Sequence, residues 1–169
     1  ILIGTLVAIL LFFWLFTGRN SIRNSTEIRT AADWMLRTQK ENGLFHYQYD
    51  LRRQRYDTED NIVRQAGGAY GLAKAATYLN EEKYFQGTFN AIRGLLDGSE
   101  TYTRQGTTAR FVPVADTSRN NTNALLILAI LEAVNKRSAA YREYQVILEE
   151  LAQHIIFSQK PDGSFYDRY

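Results

Sequence analysis

Thr38-Gln39-Lys40-Glu41-Asn42-Gly43-Leu44-Phe45 and Ser158-Gln159-Lys160-Pro161-Asp162-Gly163-Ser164-Phe165 are one motif written twice. In each copy a hydroxyl residue, Gln-Lys, an amide or acid, Gly and Phe fall in register behind an apolar segment. An internal repeat of this kind dictates a repeat architecture. The apolar residues ahead of each Gln recur at helical spacing. Asn42-Gly43 and Asp162-Gly163 are residue types that accept a left-handed backbone, so each copy is predicted to end a helix. The Phe can then turn back onto the helix just left, and the Gln side chain can bond free backbone groups at the turn.

The 169 residues have room for a membrane segment and one domain. A formal net charge of +2, with acids and bases interspersed, gives no electrostatic footprint for nucleic acid, and that partner is set aside. The absence of cysteine excludes a disulfide scaffold, a thiolate metal site and a Cys nucleophile. Ile1 to Phe16 carries no charge. A spanning helix needs about 20 apolar residues, so 1–17 is read as a transmembrane anchor completed by upstream residues, with 18–25 a juxtamembrane linker. A lipid bilayer is therefore an expected partner. Arg19, Arg23 and Arg29 would draw the domain to the cytoplasmic side, but that rule compares two flanks and one is in view. An envelope role puts it on the periplasmic or extracellular side. The chain opens inside an apolar run and stops where the first copy of the motif continues toward another helix. The expectation is a fragment, with the domain over 26–169 truncated at its C-terminal side.

A first amphipathic helix is predicted from about Thr26 to Gln39, with Ile28, Ala32, Met35 and Leu36 on one face. From Gly43 to Asp60 the chain reads as a long, irregular, aromatic and charged loop, a type more often functional than structural. Asp57-Thr58-Glu59-Asp60 then opens a helix from about Asn61 to Leu79, rich in Gly and Ala, where close neighbours are expected. The next helix, Glu81 to Leu96, carries a single stripe of Phe85, Phe89, Ile92 and Leu96. Thr101 to Val112 reads as a β-hairpin around Gln105-Gly106. Asn120 to Asn135 is predicted as a helix whose stretch Ala124 to Leu131 is apolar around its circumference and so buried on all sides. Ala139 to Phe157 alternates again, with Tyr141, Tyr144, Leu148, Leu151 and Ile155 inward and Arg142, Glu143, Glu149 and Glu150 outward.

One-sided and all-round apolar helices thus alternate, joined by Gln-x-x-x-Gly turns. This order resembles the α/α toroid shared by terpenoid cyclases, protein prenyltransferases and six-hairpin glycosidase-like enzymes. In the cyclases a Gln…Gly-x-Trp motif sits at the same turn; Gln39…Gly43-x-Phe45 and Gln159…Gly163-x-Phe165 carry Phe in its place. The resemblance runs from about Thr26 to Tyr169 and implies an all-α domain. It would be an incomplete toroid of about two and a half helical hairpins with a short β-hairpin, where repeat folds stack several units.

Toroids of this kind gather their sites where inner helices begin. The resemblance therefore points to Asp57, Glu59 and Asp60 as candidate catalytic carboxylates, with His46, Tyr47, Tyr49 and Arg64 as binding residues beside them. Arg110 and Asn121 are the corresponding positions of the second unit, where Asn120 and Asn123 also lie. Aromatic faces suit sugar rings, and paired carboxylates can act as acid and base on a glycosidic bond. The expected function is binding or processing of a carbohydrate polymer or glycolipid of the cell envelope. A non-catalytic scaffold subunit, partnered by other membrane proteins, is the alternative. Asp57-Thr58-Glu59-Asp60 is also similar to the Asp-x-Asp-Asp motif of class II terpene cyclases, with Glu59 at the central position, so a cyclase-like enzyme is a further alternative. Against all three stands a plain role: carboxylates at a helix start cap it and favour its dipole. His46 and His154, the two histidines, have no clustered ligands, so no metal is expected, and no phosphate loop or other cofactor motif is present.

Overall fold

The computed structural model describes residues 25–56, 58–114, 117–118, 120–135 and 138–166. The expected anchor over 1–17 and most of the linker lie outside them, as does Asp57. Among the described residues no helix is long and apolar enough to cross a membrane. The chain is mostly helical: α1 runs through 25–37, followed by α2 (Ile62–Leu79), α3 (Glu82–Asp97), α4 (Asn120–Val134) and α5 (Ser138–Phe157). Three two-stranded antiparallel ladders join them, β1 (Tyr49–Asp50) with β2 (Arg55–Tyr56), β3 (Glu100–Arg104) with β4 (Thr107–Phe111), and β5 (Pro113–Val114) with β6 (Thr117–Ser118).

The ends of α1, α2 and α5 have visible chemical reasons. Asn61 caps α2 by accepting the Arg64 N–H, and Asn80 ends it in the left-handed region at φ 55°, its N–H reaching the Ala76 carbonyl. The two motif copies adopt the same turn. Gly43 and Gly163 sit at φ 82° and 85°. Lys40 and Lys160 donate their N–H to the carbonyls of Leu44 and Ser164, both at 2.7 Å. Gln39 and Gln159 each donate Nε2 to the glycine carbonyl, at 2.8 and 3.2 Å. Isolated bridges pair Gln39 with Phe45 and Gln159 with Phe165, so the predicted helix ends hold in both places.

The surroundings of the two turns differ. Gln39 Nε2 also donates to the Gly87 carbonyl at 2.8 Å, fastening the first turn to α3. A Cβ on Gly43 would fall 2.1 Å from the Asn90 carbonyl oxygen, whereas one on Gly163 would meet nothing within 4 Å. Phe45 is 8% exposed, packed on α2 where a Cβ on Gly68 would approach its ring to 3.1 Å; Phe165 is 47% exposed. The close approach anticipated from the small residues of α2 is thus met at Gly68.

α2 and α4 pack most extensively on each other, with α3 against both and α5 against α4 and β4. Their shared core holds Ala66, Ala69, Leu72, Ala76, Leu126, Ala129 and Ile130, while Tyr84, Ile92 and Leu95 enter from α3 and Tyr144, Leu148 and Leu151 from α5. α1 is tied to α3 by ion pairs, Arg29 to Glu81 and Lys83 to Asp33 at 2.6 Å. Three expectations need correction. Ala124 to Leu131 is not enclosed: Leu128 and Leu131 are 43% and 42% exposed, because no described element covers that face of α4. On α5, Tyr141 is exposed rather than inward, while Glu150 is half-buried because it takes the Arg110 guanidinium. The stretch 43–60 is not wholly irregular, since it contains the β1–β2 hairpin.

The β3–β4 hairpin has the register expected around Gln105-Gly106, with Arg104 opposite Thr107. Both turn residues have positive φ, 52° and 77°, the signature of the type I′ turn that matches strand twist.

Candidate functional site

The mouth at the start of α2 is built by a backbone clamp. Gln65, in the first turn of α2, accepts the Phe45 N–H at 2.7 Å and donates Nε2 to the Phe45 carbonyl at 2.8 Å and to Asp60 Oδ1 at 2.6 Å. Asn123, in the first turn of α4, repeats the device: it accepts the Val112 N–H at 3.2 Å and donates to the Arg110 carbonyl at 2.8 Å. A buried amide that satisfies both a donor and an acceptor of a passing strand removes two desolvation penalties at once. Neither Gln65 nor the clamp role of Asn123 was anticipated. The available signal was an amide at the same place in the first turn of both α2 and α4.

With Phe45 fixed, the residues after it are aimed outward. The His46 N–H returns to the Thr38 carbonyl at 3.0 Å, and its ring stacks on Tyr56, centroids 4.0 Å apart and planes 14° from parallel. Tyr49, paired across the hairpin with Tyr56, meets it edge-on at 5.1 Å. Tyr47 lies under the Arg64 guanidinium, 5.0 Å from its ring centroid. Four of the expected residues, His46, Tyr47, Tyr49 and Arg64, therefore enter three aromatic contacts near the start of α2, two of them with Tyr56. Tyr56 joins them. The sequence places it in the aromatic stretch but does not show its hairpin: the turn bends at Gln54, φ 50°, a residue type that gives no turn signal.

The acids divide. Asp60 Oδ1 accepts the Asn61 N–H at 2.7 Å as well as the Gln65 amide, and Oδ2 meets Lys40 Nζ at 3.2 Å. Partial burial pushes its pKa upward, but the bonds from Gln65, Lys40 and Asn61 outweigh it and hold the carboxyl below its usual range. It is held ionised. Glu59 is exposed beside it, and Asp57 is not described. Arg110 is drawn away from any mouth: Nε binds Glu150 at 2.7 Å and Nη1 the Ser99 hydroxyl at 2.9 Å. Asn121 is exposed and lines, with Asn120, Ala124, Ile155, Phe165 and Tyr166, a separate groove of about 430 Å³. His154 is 1% exposed, 3.2 Å through Nδ1 from the Tyr102 hydroxyl and stacked near Phe111, so it belongs to the packing of α5 on the β3–β4 hairpin.

Among the described residues no group of three or more His, Asp or Glu is placed to hold a metal ion. The chain matches no family model, no curated protein and no solved structure. The chemistry has therefore to be argued from the mouth itself. What it offers is a partly exposed aromatic cluster, guanidinium groups beside it, and one carboxylate already engaged. A larger concavity of about 730 Å³ lies at the second turn, between Arg104, Phe157, Lys160 and Tyr166. It has aromatic and basic walls but none of the candidate acids, so the first mouth remains the candidate site.

Proposed function

We propose that the chain is part of a membrane-anchored α/α toroid domain that binds or processes a carbohydrate polymer or glycolipid of the cell envelope, with the ligand at the start of α2. The observation that carries this reading is the His46–Tyr56–Tyr49 cluster. Flat apolar faces with polar edges, held rigid by a clamped backbone and left partly open to solvent, suit the C–H faces of sugar rings. Asp60, held ionised, suits a positioning or electrostatic role better than proton donation. The toroid reading draws its support from two like turns, two like amide clamps and two central helices flanked by outer ones. The test is binding of oligosaccharides to the full-length protein in mild detergent. Tyr49→Ala and Tyr56→Ala are expected to abolish it and Tyr47→Ala to weaken it; unchanged affinity in all three removes the aromatic argument.

A second reading, a scaffold subunit of a membrane complex, is favoured by a different observation. A groove of about 390 Å³ between α1 and α2, lined by Ile28, Ala32, Met35, Gly71, Ala75 and Tyr78 among others, is open, and Leu128 and Leu131 are exposed on α4. Apolar surface of this kind marks contact sites. Stable co-migration with other membrane proteins in mild detergent supports the scaffold; a free monomer that binds glycan supports the first reading.

A further inference from the structure

We infer that the ligand of the α2 mouth is an acidic glycan, recognised through a carboxylate or phosphate group on the sugar. This rests on the carbohydrate reading above and narrows it. The hairpin that supplies Tyr49 and Tyr56 carries Arg52, Arg53 and Arg55, all exposed, against a single acid, Asp50. Asp50 is occupied: Oδ1 accepts the N–H groups of Arg52 and Arg53 at 2.8 and 3.0 Å, and Oδ2 lies 3.6 Å from Arg53 Nε. Among the described residues neither the Arg52 nor the Arg55 guanidinium meets an acid.

The hairpin therefore presents net positive charge beside its aromatic rings, and the two are joined in one place. A concavity of about 140 Å³ is lined by Asp50, Arg53, Arg55, Tyr56 and Thr58. It has space for a carboxylate or phosphate group. A sugar whose acidic group enters it would lay its ring toward the Tyr56 and Tyr49 side. Guanidinium groups match planar or tetrahedral oxyanions through paired N–H donors, and they are less strongly hydrated than ammonium. A neutral glycan would leave those donors unused. Of the described acids at the start of α2, Asp60 is paired with Lys40, and neither Asp60 nor Glu59 lines the concavity.

The experiment compares, on the full chain in mild detergent, an oligogalacturonate, a phosphate-bearing mannan oligosaccharide, a neutral cello-oligosaccharide of equal length and inorganic polyphosphate. The acidic glycans are expected to bind at least tenfold more tightly than the neutral one and to lose that advantage at high salt. The oligogalacturonate and phosphomannan arms tell carboxylate from phosphate. Arg55→Gln combined with Arg52→Gln should collapse the preference. Asp50→Asn, which keeps the acceptor for the turn N–H groups but removes the one carboxylate among the described lining residues, should tighten acidic glycans several-fold. Circular dichroism controls for folding. Equal binding of neutral and acidic glycans overturns the inference and leaves the carbohydrate reading standing. Polyphosphate binding as tight as the glycans and insensitive to Tyr56→Ala also overturns it, because the surface is then a plain polyanion site. Binding to none of the four overturns both.

Discussion

Gln65 and Asp60 show how much of this mouth is decided by single side chains. Gln65→Leu keeps most of the volume but strands the buried N–H and carbonyl of Phe45, and each unsatisfied group costs about 1–3 kcal/mol. Chemical denaturation should show a loss of about 2 kcal/mol or more, with Asn123→Leu behaving alike at the second clamp. A loss under about 0.5 kcal/mol in either would mean water replaces the amide without penalty. For Asp60 the sign follows from its lowered pKa. The unfolded carboxyl binds protons more readily than the folded one, so its contribution is present above the ordinary carboxylate range near pH 4 and is lost as pH falls through the folded value. Asp60→Asn should melt below the wild type at neutral pH by a small margin, because the group is partly exposed and screened. The two melting curves should converge in acid. His154 titrates in a different window. Burial lowers its pKa, so stability should be full above about pH 6.5 and drain as pH falls toward its folded value. In His154→Phe the melting temperature should vary less between pH 7.5 and 5.5, about one unit either side of the ordinary histidine value; an unchanged slope assigns the dependence to other groups.

At the scale of elements, the glycines of the two turns separate local conformation from packing. Gly43→Ala and Gly163→Ala both force alanine into the left-handed region, at a cost of about 1–2 kcal/mol. Only Gly43→Ala also drives a Cβ into the Asn90 carbonyl, so α3 must shift. The first variant should lose clearly more stability than the second, read as the difference between their unfolding midpoints. Equal losses would mean that α3 gives way freely. The same elements explain what was legible beforehand. Turn chemistry was readable wherever glycine carried it, as at Gly43, Gly163 and Gln105-Gly106, and the one-sided helices α1, α3 and α5 declared themselves by period. The β1–β2 hairpin was hidden because its strands are two residues long and Gln54 takes the left-handed position. The exposure of Leu128 and Leu131 was hidden for another reason: an all-round apolar sequence reports what a helix can bury, whereas the neighbours decide what it does bury.

For the whole molecule, the candidate site was half legible. The toroid resemblance put His46, Tyr47, Tyr49 and Arg64 beside the start of α2, where ring contacts gather them, but Asp60, Arg110 and Asn121 have partners or positions that only tertiary contacts could reveal. The repeat also makes the molecule its own control. The backbone amides of Lys40 and Lys160 donate in turns of one geometry, as do those of Gly43 and Gly163. One turn is roofed by α2 and α3, and the other is open at Phe165. Hydrogen–deuterium exchange on the unaltered protein thus compares like bonds under two levels of cover. The ratio of exchange rates, Lys160 over Lys40 and Gly163 over Gly43, would report what tertiary shelter adds to the lifetime of a hydrogen bond, without a substitution in either turn.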